Sequence, residues 1–247
     1  ILEKYKEEYK NINFKIADFF SANKITKFTN KKFKVITALS VFYDAADPNK
    51  FIKDVKKLLS QDGIFLLEFA DLASIIQNKM FDTICHEHLE YYSSKVIIDL
   101  CAKNNLRVFD IKKNEINGAS KQFFICHKKS SYKSNNKIIS NVINFEKKLK
   151  LSDEITFKNF ISVINQSKKQ LNNFLKRINK QGKKVHGYGA STKGNVLLQY
   201  YKINNKMVEY VAERNNKKYN LYTPGSNIKI ISEALSRFYK PDFYLVL

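Results

Sequence analysis

The 247-residue sequence predicts an α/β fold: a partly parallel sheet, a helical linker, and a second, smaller sheet of the doubly wound, Rossmann-like type. Three observations carry this. Apolar runs such as Lys34–Val41 and Ile64–Phe69 have the composition of strands buried on both faces. They alternate with stretches whose apolar residues recur every three or four positions. The alternation breaks over residues 131–182, which are rich in Lys and Asn, and resumes at Lys183.

In chain order, residues 1–12 carry Ile1, Leu2, Tyr5, Tyr9 and Ile12 at the spacing of an amphipathic helix end. Phe14–Phe20 reads as a short strand ending on Asp18-Phe19-Phe20, and Lys34–Val41 as a buried strand. Asp47-Pro48 opens a helix with Phe51, Val55, Leu58 and Leu59 as its apolar stripe. Asp62-Gly63 reads as a turn before the strand Ile64–Phe69. A helix follows residue 92, with Val96, Ile97, Leu100 and Cys101 on one face. Arg107–Ile111 and Lys121–His127 flank Asn117-Gly118 as an antiparallel pair at the sheet edge. Residues 129–136 read as a linker, and 137–180 as helix with one face packed. From Lys183 the pattern is strand (Val185–Tyr188), helix (Ser191–Tyr201), strand (Val208–Glu213), short strand (Ile228–Ile230), helix, and a strand from Phe243. The domains expected are therefore 1–130, a helical linker over 131–182, and 183–247. The start at Ile1 and the stop inside Phe243–Leu247 read as those of a cut chain.

The formal charge is +21. A nucleic-acid or anionic-membrane partner would exploit it, but the charge is almost all Lys, spread along the chain, with Arg only at 107, 177, 214 and 237. That is the pattern of an AT-rich coding sequence, so neither nucleic acid nor membrane is expected as a partner. Cys85, Cys101 and Cys126 are odd in number and lack CxxC spacing, which argues against a disulfide framework or a Cys-rich zinc site. Without a long apolar run or a visible signal peptide, a cytoplasmic protein is expected.

The densest group of reactive side chains is Phe81–Tyr92, which contains Cys85, His86, Glu87, His88, Glu90, Tyr91 and Tyr92. Three readings fit. Cys85, His86, His88 and a carboxylate could hold a metal, although the HExxH spacing is absent. The side chains could simply pack a loop. Or a histidine, steadied by a neighbouring carboxylate, could act as a general base, since imidazole titrates near neutral pH. A second group is Gly187–Asn195, which joins a strand to a helix. Its amides and Lys193 would face an anion at the helix N-terminus, or it is only a turn; it has neither GxGxxG nor P-loop spacing.

The segment Phe81-Asp82-Thr83-Ile84-Cys85-His86-Glu87-His88-Leu89-Glu90-Tyr91-Tyr92 resembles the signature of the sugar C-methyltransferase family. The likeness continues in Asn117-Gly118-Ala119-Ser120, in Gly187-Tyr188-Gly189-Ala190-Ser191-Thr192-Lys193-Gly194-Asn195, and in Tyr222-Thr223-Pro224-Gly225. This resemblance implies part of a class I methyltransferase sheet followed by a nucleotide-sugar-binding domain. It implies transfer of a methyl group from S-adenosyl-L-methionine to a carbon of a nucleoside-diphosphate keto-deoxysugar. His88 would remove the proton beside the ketone, supported by Glu87 and His86, and the enolate would take the methyl. Asp18 and Phe19 would border the adenine of the cofactor, and Ser40 and Tyr43 its methyl end. Tyr91, Tyr92, Asn117, Gly118 and Ser120 would line the sugar pocket, and Gly187, Tyr188, Gly189, Lys193 and Asn195 would hold the nucleotide part.

Departures from the family pattern are Cys85 for a Tyr, Ala119 for a Gly, and Gln122 for an Arg. No Gly precedes Gly63, so the Gly-rich cofactor turn is expected to lie outside this chain, as is the family's four-Cys zinc domain, the one place zinc is expected. The competing reading is a nucleotide- or dinucleotide-binding Rossmann-like protein without methyltransferase activity.

Overall fold

The computed structural model describes residues 12 and 14–247. The helix end expected over 1–12 lies almost wholly outside the described residues. The chain divides into two compact units, residues 1–71 with 89–148, and residues 72–88 with 149–247.

The first unit contains α1 (Ala22–Ile25), β1 (Phe33–Leu39), α2 (Pro48–Leu58), β2 (Leu59–Phe69), α4 (Ser94–Lys103), β3 (Leu106–Asn114), β4 (Ser120–His127) and α5 (Asn136–Leu149); α3 (Leu72–Asn78) belongs to the second. Its sheet has the order β1-β2-β4-β3. β1 and β2 are parallel, and β4 runs antiparallel to both of its neighbours. The β3–β4 pair is thus the antiparallel edge expected from the sequence. Asp47 caps α2 by accepting from the Lys50 amide at 2.8 Å, with Pro48 in the first turn. Ser93 caps α4 in the same way through Val96. Phe42, Phe65, Phe69, Phe123, Ile97 and Ile125 are fully buried in one cluster, each worth roughly 1.5–3 kcal/mol of transfer free energy.

Four expectations are corrected here. Phe14–Phe20 forms no strand; it runs irregularly into α1, and no strand among the described residues supplies it a ladder. The strand read as Lys34–Val41 is not buried on both faces: it lies at the sheet edge among the described strands, and only Ala38 is buried while Val35 is 63% exposed. Asp62-Gly63 lies within β2, in an irregular stretch where the register shifts between Phe33↔Leu59 and Val35↔Ile64. A Cβ on Gly63 would stand 2.9 Å from the Phe33 carbonyl oxygen, so glycine lets the two backbones approach. Val96 points off the packed face of α4, which buries Ile97 and Cys101.

The second unit contains α3, α6 (Glu154–Lys180), β5 (Val185–Tyr188), α7 (Thr192–Tyr201), β6 (Tyr210–Glu213), β7 (Lys229–Ser232), α8 (Glu233–Phe238) and β8 (Phe243–Val246). Its sheet is all parallel in the order β7-β6-β5-β8. The strand order reverses between β5 and β8, which is the switch point where open α/β sheets take ligands at their carboxyl ends. α6 buries Phe160, Ile164, Leu175 and Ile178 along one face. The amides of Asn172 and Asn179 on the same helix donate to the carbonyls of Tyr201 and Met207. The α/β class read from the sequence is the class observed.

Candidate active site

In the first unit, the candidate cofactor residues stand at the carboxyl end of β1. Ser40 adopts a left-handed conformation (φ 54) and its amide donates to the Glu68 carbonyl at 2.8 Å, ending the β1–β2 ladder. A 3₁₀ turn at Phe42–Asp44 follows. A hollow of about 780 Å³ opens here, with Asp18, Phe19, Val41, Asp44, Asp47 and Leu89 among its walls. Asp18 accepts from the Phe19 amide at 2.7 Å and is ion-paired with Lys24. The Lys24 bond, aided by the Phe19 amide, holds the Asp18 carboxyl below the usual carboxylate range. The Phe19 ring is 89% exposed beside the hollow. Ser40 and Tyr43 flank the wall residues Val41 and Asp44. The Tyr43 carbonyl accepts from the amides of Leu89 and Glu90 at 3.0 and 3.2 Å, tying the end of the His-rich loop to the β1 turn. Asp47 and Leu89 are wall residues that the sequence did not mark as functional. Position relative to Pro48 was the one signal for Asp47, and it pointed to a cap.

The other first-unit candidates divide. Tyr92 is 6% exposed and packs its ring on Phe42 and Phe69, at 5.1 and 5.9 Å between centroids. Among the described residues, its buried hydroxyl has no hydrogen-bond partner. Burial, with a contribution from Glu90, pushes the phenol up to about 12. Tyr92 is thus a core ring, whereas Tyr91 is half-buried. Gly118 sits at φ 93 in the turn before β4, a conformation glycine adopts without strain. Asn117 occupies the same turn. Ser120 is buried and its hydroxyl donates to the Ile116 carbonyl at 2.9 Å, so it holds the turn. Gln122, in place of the family's Arg, joins Asn114 in donating to the Glu68 carboxylate at 2.6 and 2.9 Å.

In the second unit, Phe81 anchors the His-rich segment by packing on Tyr200 and Tyr201, at 5.5 and 5.2 Å between centroids. Cys85, His86 and Glu87 then line a cavity of about 760 Å³ together with Thr192, Asn195 and Gln199. Two segments far apart in sequence therefore meet at one cavity. The Asn195 Oδ1 is itself buried and, among the described residues, has no hydrogen-bond partner. His86 and Glu87 are exposed, and His88 is half-buried with its amide donating to the Cys85 carbonyl at 3.3 Å. Among the described residues, no group of three His, Cys, Asp or Glu side chains is placed to hold a metal ion.

The Gly187–Asn195 loop is a strand–turn–helix, as expected. Gly189 takes φ 95, and Ser191 caps α7 by accepting from the Gly194 amide at 2.9 Å. A Cβ on Gly194 would stand 2.7 Å from the Leu247 Cβ, so this glycine permits close packing of helix on chain rather than approach of a ligand. Gly187 is hemmed in by Leu247 and Val211 in the same way. The Tyr188 hydroxyl donates to Glu233 at 2.5 Å and accepts from Arg214. Lys193 is half-buried on the first turn of α7. Glu213, at the end of β6, already accepts from the amides of Ala190, Arg214 and Asn215 and lies 3.6 Å from the Lys218 ammonium. Those amide bonds outweigh its burial and keep the carboxyl below its ordinary range. His186 is fully buried, bonded through Nδ1 to Ser236 at 2.7 Å. Its burial, partly offset by Glu209 at 3.7 Å, lowers its pKa.

Comparison with known proteins agrees with the motifs. Residues 3–109 match the family model of a methyltransferase domain, and residues 115–247 match that of the C-methyltransferase C-terminal domain. The chain is 27% identical over 214 residues to the C-methyltransferase NovU of Streptomyces niveus, across 87% of this chain and 51% of that protein. It thus spans about half the length of the curated relative it matches. Among solved structures, magnesium protoporphyrin IX methyltransferase from Synechocystis PCC 6803 is 12% identical, with a TM-score of 0.37 over 51% of this chain and 57% of that one. PKMT2 from Rickettsia typhi is 14% identical, with a TM-score of 0.36 over 57% and 44%. The two family models between them cover nearly the whole sequence, and the chain belongs to the C-methyltransferase family.

Proposed function

We propose that this chain takes part in transferring a methyl group from S-adenosyl-L-methionine to a carbon of a nucleoside-diphosphate keto-deoxysugar, in the cytoplasm. One observation carries the reading: the second-unit cavity joins Cys85, His86 and Glu87 to Thr192 and Asn195 at the start of α7. The cavity is large enough for a sugar, and pockets of this size are ordinary small-molecule sites. Lys193 and the α7 amides would attract the diphosphate. The hollow beside Asp18 and Phe19 fits the adenosine end of the cofactor, since it offers an exposed aromatic face and apolar walls. When bound, the cofactor supplies an electrophilic methyl group.

In this reading His88 accepts the proton from the carbon beside the sugar ketone, and the C–H electron pair passes into the enolate. Glu87 and His86 would steady the charged imidazole, and the protein contributes mainly by positioning the base. The dinucleotide-binding alternative is weaker. Glu213 stands where a ribose-binding carboxylate would act, and its oxygens are already occupied by backbone amides. The test is His88→Asn in the complete enzyme. It is expected to abolish both solvent-deuterium uptake at the sugar carbon and methylation, with cofactor affinity near wild type. Normal methylation by that variant would overturn the assignment of the base.

A further inference from the structure

The first unit carries a second concave feature, along α2 on Lys53, Lys56 and Lys57 rather than on the residues Asp47, Lys50, Phe51 and Asp54 that border the Phe19 hollow. It is a hollow of about 450 Å³ lined by Lys53, Lys56, Lys57, Lys103, Asn104 and Asn105. Three of the lysines come from the last two turns of α2, and Lys103 closes α4. Lysine at a helix C-terminus is individually favourable because the helix dipole is negative there. What the dipole does not explain is convergence without counter-charge. The nearby carboxylates are committed elsewhere: Asp54 to Lys50 at 2.8 Å, and Asp99 to Lys95 at 2.5 Å. The Lys57 ammonium rests on the neutral Asn23 Oδ1 at 3.0 Å. Among the described residues, Lys53, Lys56 and Lys103 form no ion pair. Lys32 adds a fifth cation by donating to the Lys57 carbonyl.

The hollow is also held in shape. Asn104 is 6% exposed, and its Nδ2 donates to Asn49 Oδ1 at 2.9 Å and to the Leu100 carbonyl at 2.8 Å. That fixes the end of α4 against the start of α2. A concave surface of one sign focuses its field on whatever enters. Ammonium groups act on phosphate as compact point charges, without the planar geometry an arginine would demand. Among the described residues, no aromatic ring lines the hollow to stack a base, as single-stranded nucleic-acid sites require.

We propose that this lysine-lined hollow is a binding site for a condensed phosphate, a compact anion of several charges such as a di- or triphosphate group. The site is independent of the methyl-transfer reading, for it uses none of the residues assigned to that chemistry.

Inorganic tripolyphosphate is the probe, titrated calorimetrically into the chain at 0.15 M salt and again at higher salt. Binding is expected with a Kd below about 1 mM, weakening as salt rises. The variant Lys53→Gln/Lys56→Gln/Lys103→Gln is expected to lose about tenfold or more in affinity, as removal of charge-assisted bonds would require. Its control is Lys147→Gln/Lys148→Gln/Lys176→Gln, which removes the same charge from exposed helix positions and is expected to change affinity less than about twofold. Melting curves without ligand verify that both variants fold. A parallel titration with ATP identifies the source: tighter binding than tripolyphosphate points to a nucleotide tail, and equal binding to free polyphosphate. Equal losses in the two variants, or no binding of tripolyphosphate at 0.15 M salt, would overturn the proposal.

Discussion

Lys121→Met removes a cation from the interior of the first unit, where Lys121 is 1% exposed. Its ammonium donates to Asp71 at 2.8 Å, to the Ser94 hydroxyl at 2.9 Å and to Glu146 at 3.3 Å. Asp71 is fully buried and Glu146 is 5% exposed. Glu146 also accepts from the Ser94 and Lys95 amides at 2.7 and 3.1 Å, closing the start of α4. Methionine has nearly the length of lysine, so the variant leaves little cavity; what it leaves is two buried carboxylates without their cation. Breaking a buried ionic cluster from one side costs about 3–5 kcal/mol, because the remaining charge stays desolvated. The exposed pair Lys95–Asp99 supplies the contrast: with both side chains more than half exposed, Lys95→Met is expected to cost about 0–1 kcal/mol. Urea unfolding followed by far-ultraviolet circular dichroism measures both, since the chain has no Trp to report by fluorescence. Hydrogen exchange of the β2 and β4 amides assigns the loss to the first unit. If Lys121→Met costs less than about 1 kcal/mol, the desolvation argument is wrong for this cluster.

Tyr92→Phe deletes a buried hydroxyl that has no partner among the described residues, so stability is expected to hold or to rise by up to about 2 kcal/mol in the same urea assay, and a clear loss would refute that reading. His186 has its pKa lowered by burial, so it resists protonation in the fold while the unfolded chain takes a proton below its ordinary value of 6.5. Its contribution to stability is therefore present above that pH and lost as pH falls through the depressed value. His186→Gln is expected to flatten the melting-temperature profile of the second unit between about pH 7 and 5, and an unchanged slope would refute the assignment. Lys193→Ala is expected to weaken nucleotide-sugar binding by about tenfold in the complete enzyme while leaving its melting temperature near wild type, and unchanged affinity by calorimetry would reduce the loop to a turn.

Much of the fold was legible because it rests on local chemistry. Asp47-Pro48, Ser93 and Ser191 are capping residues whose role depends on the next three positions, and each caps the expected helix. The second sheet followed from strand–helix alternation, which needs only short-range periodicity. β1 was misjudged because an apolar strand reads as buried whatever lies beside it, and burial depends on neighbours the sequence does not display. Phe14–Phe20 failed for a related reason: strand propensity produces no strand without a partner edge.

The candidate site divides along the same line. Residue types and spacing identified the His-rich segment and the Gly187–Asn195 loop, and those motifs carried the family resemblance. Which of their side chains reach a cavity was decided by packing. Phe81 packs on Tyr200 and Tyr201 and so brings Cys85, His86 and Glu87 to Thr192 and Asn195, whereas Tyr92 and Ser120 turn inward and serve the core and the turn. Asp71, Ser94, Lys121 and Glu146 show the limit most plainly. Each looks like an ordinary surface residue in sequence, with no periodicity linking it to the others. The sequence by itself determined the α/β alternation, the helix starts and the chemical repertoire, because those depend on neighbours along the chain. Only the tertiary structure decided which polar groups lost their water, because desolvation depends on neighbours in space.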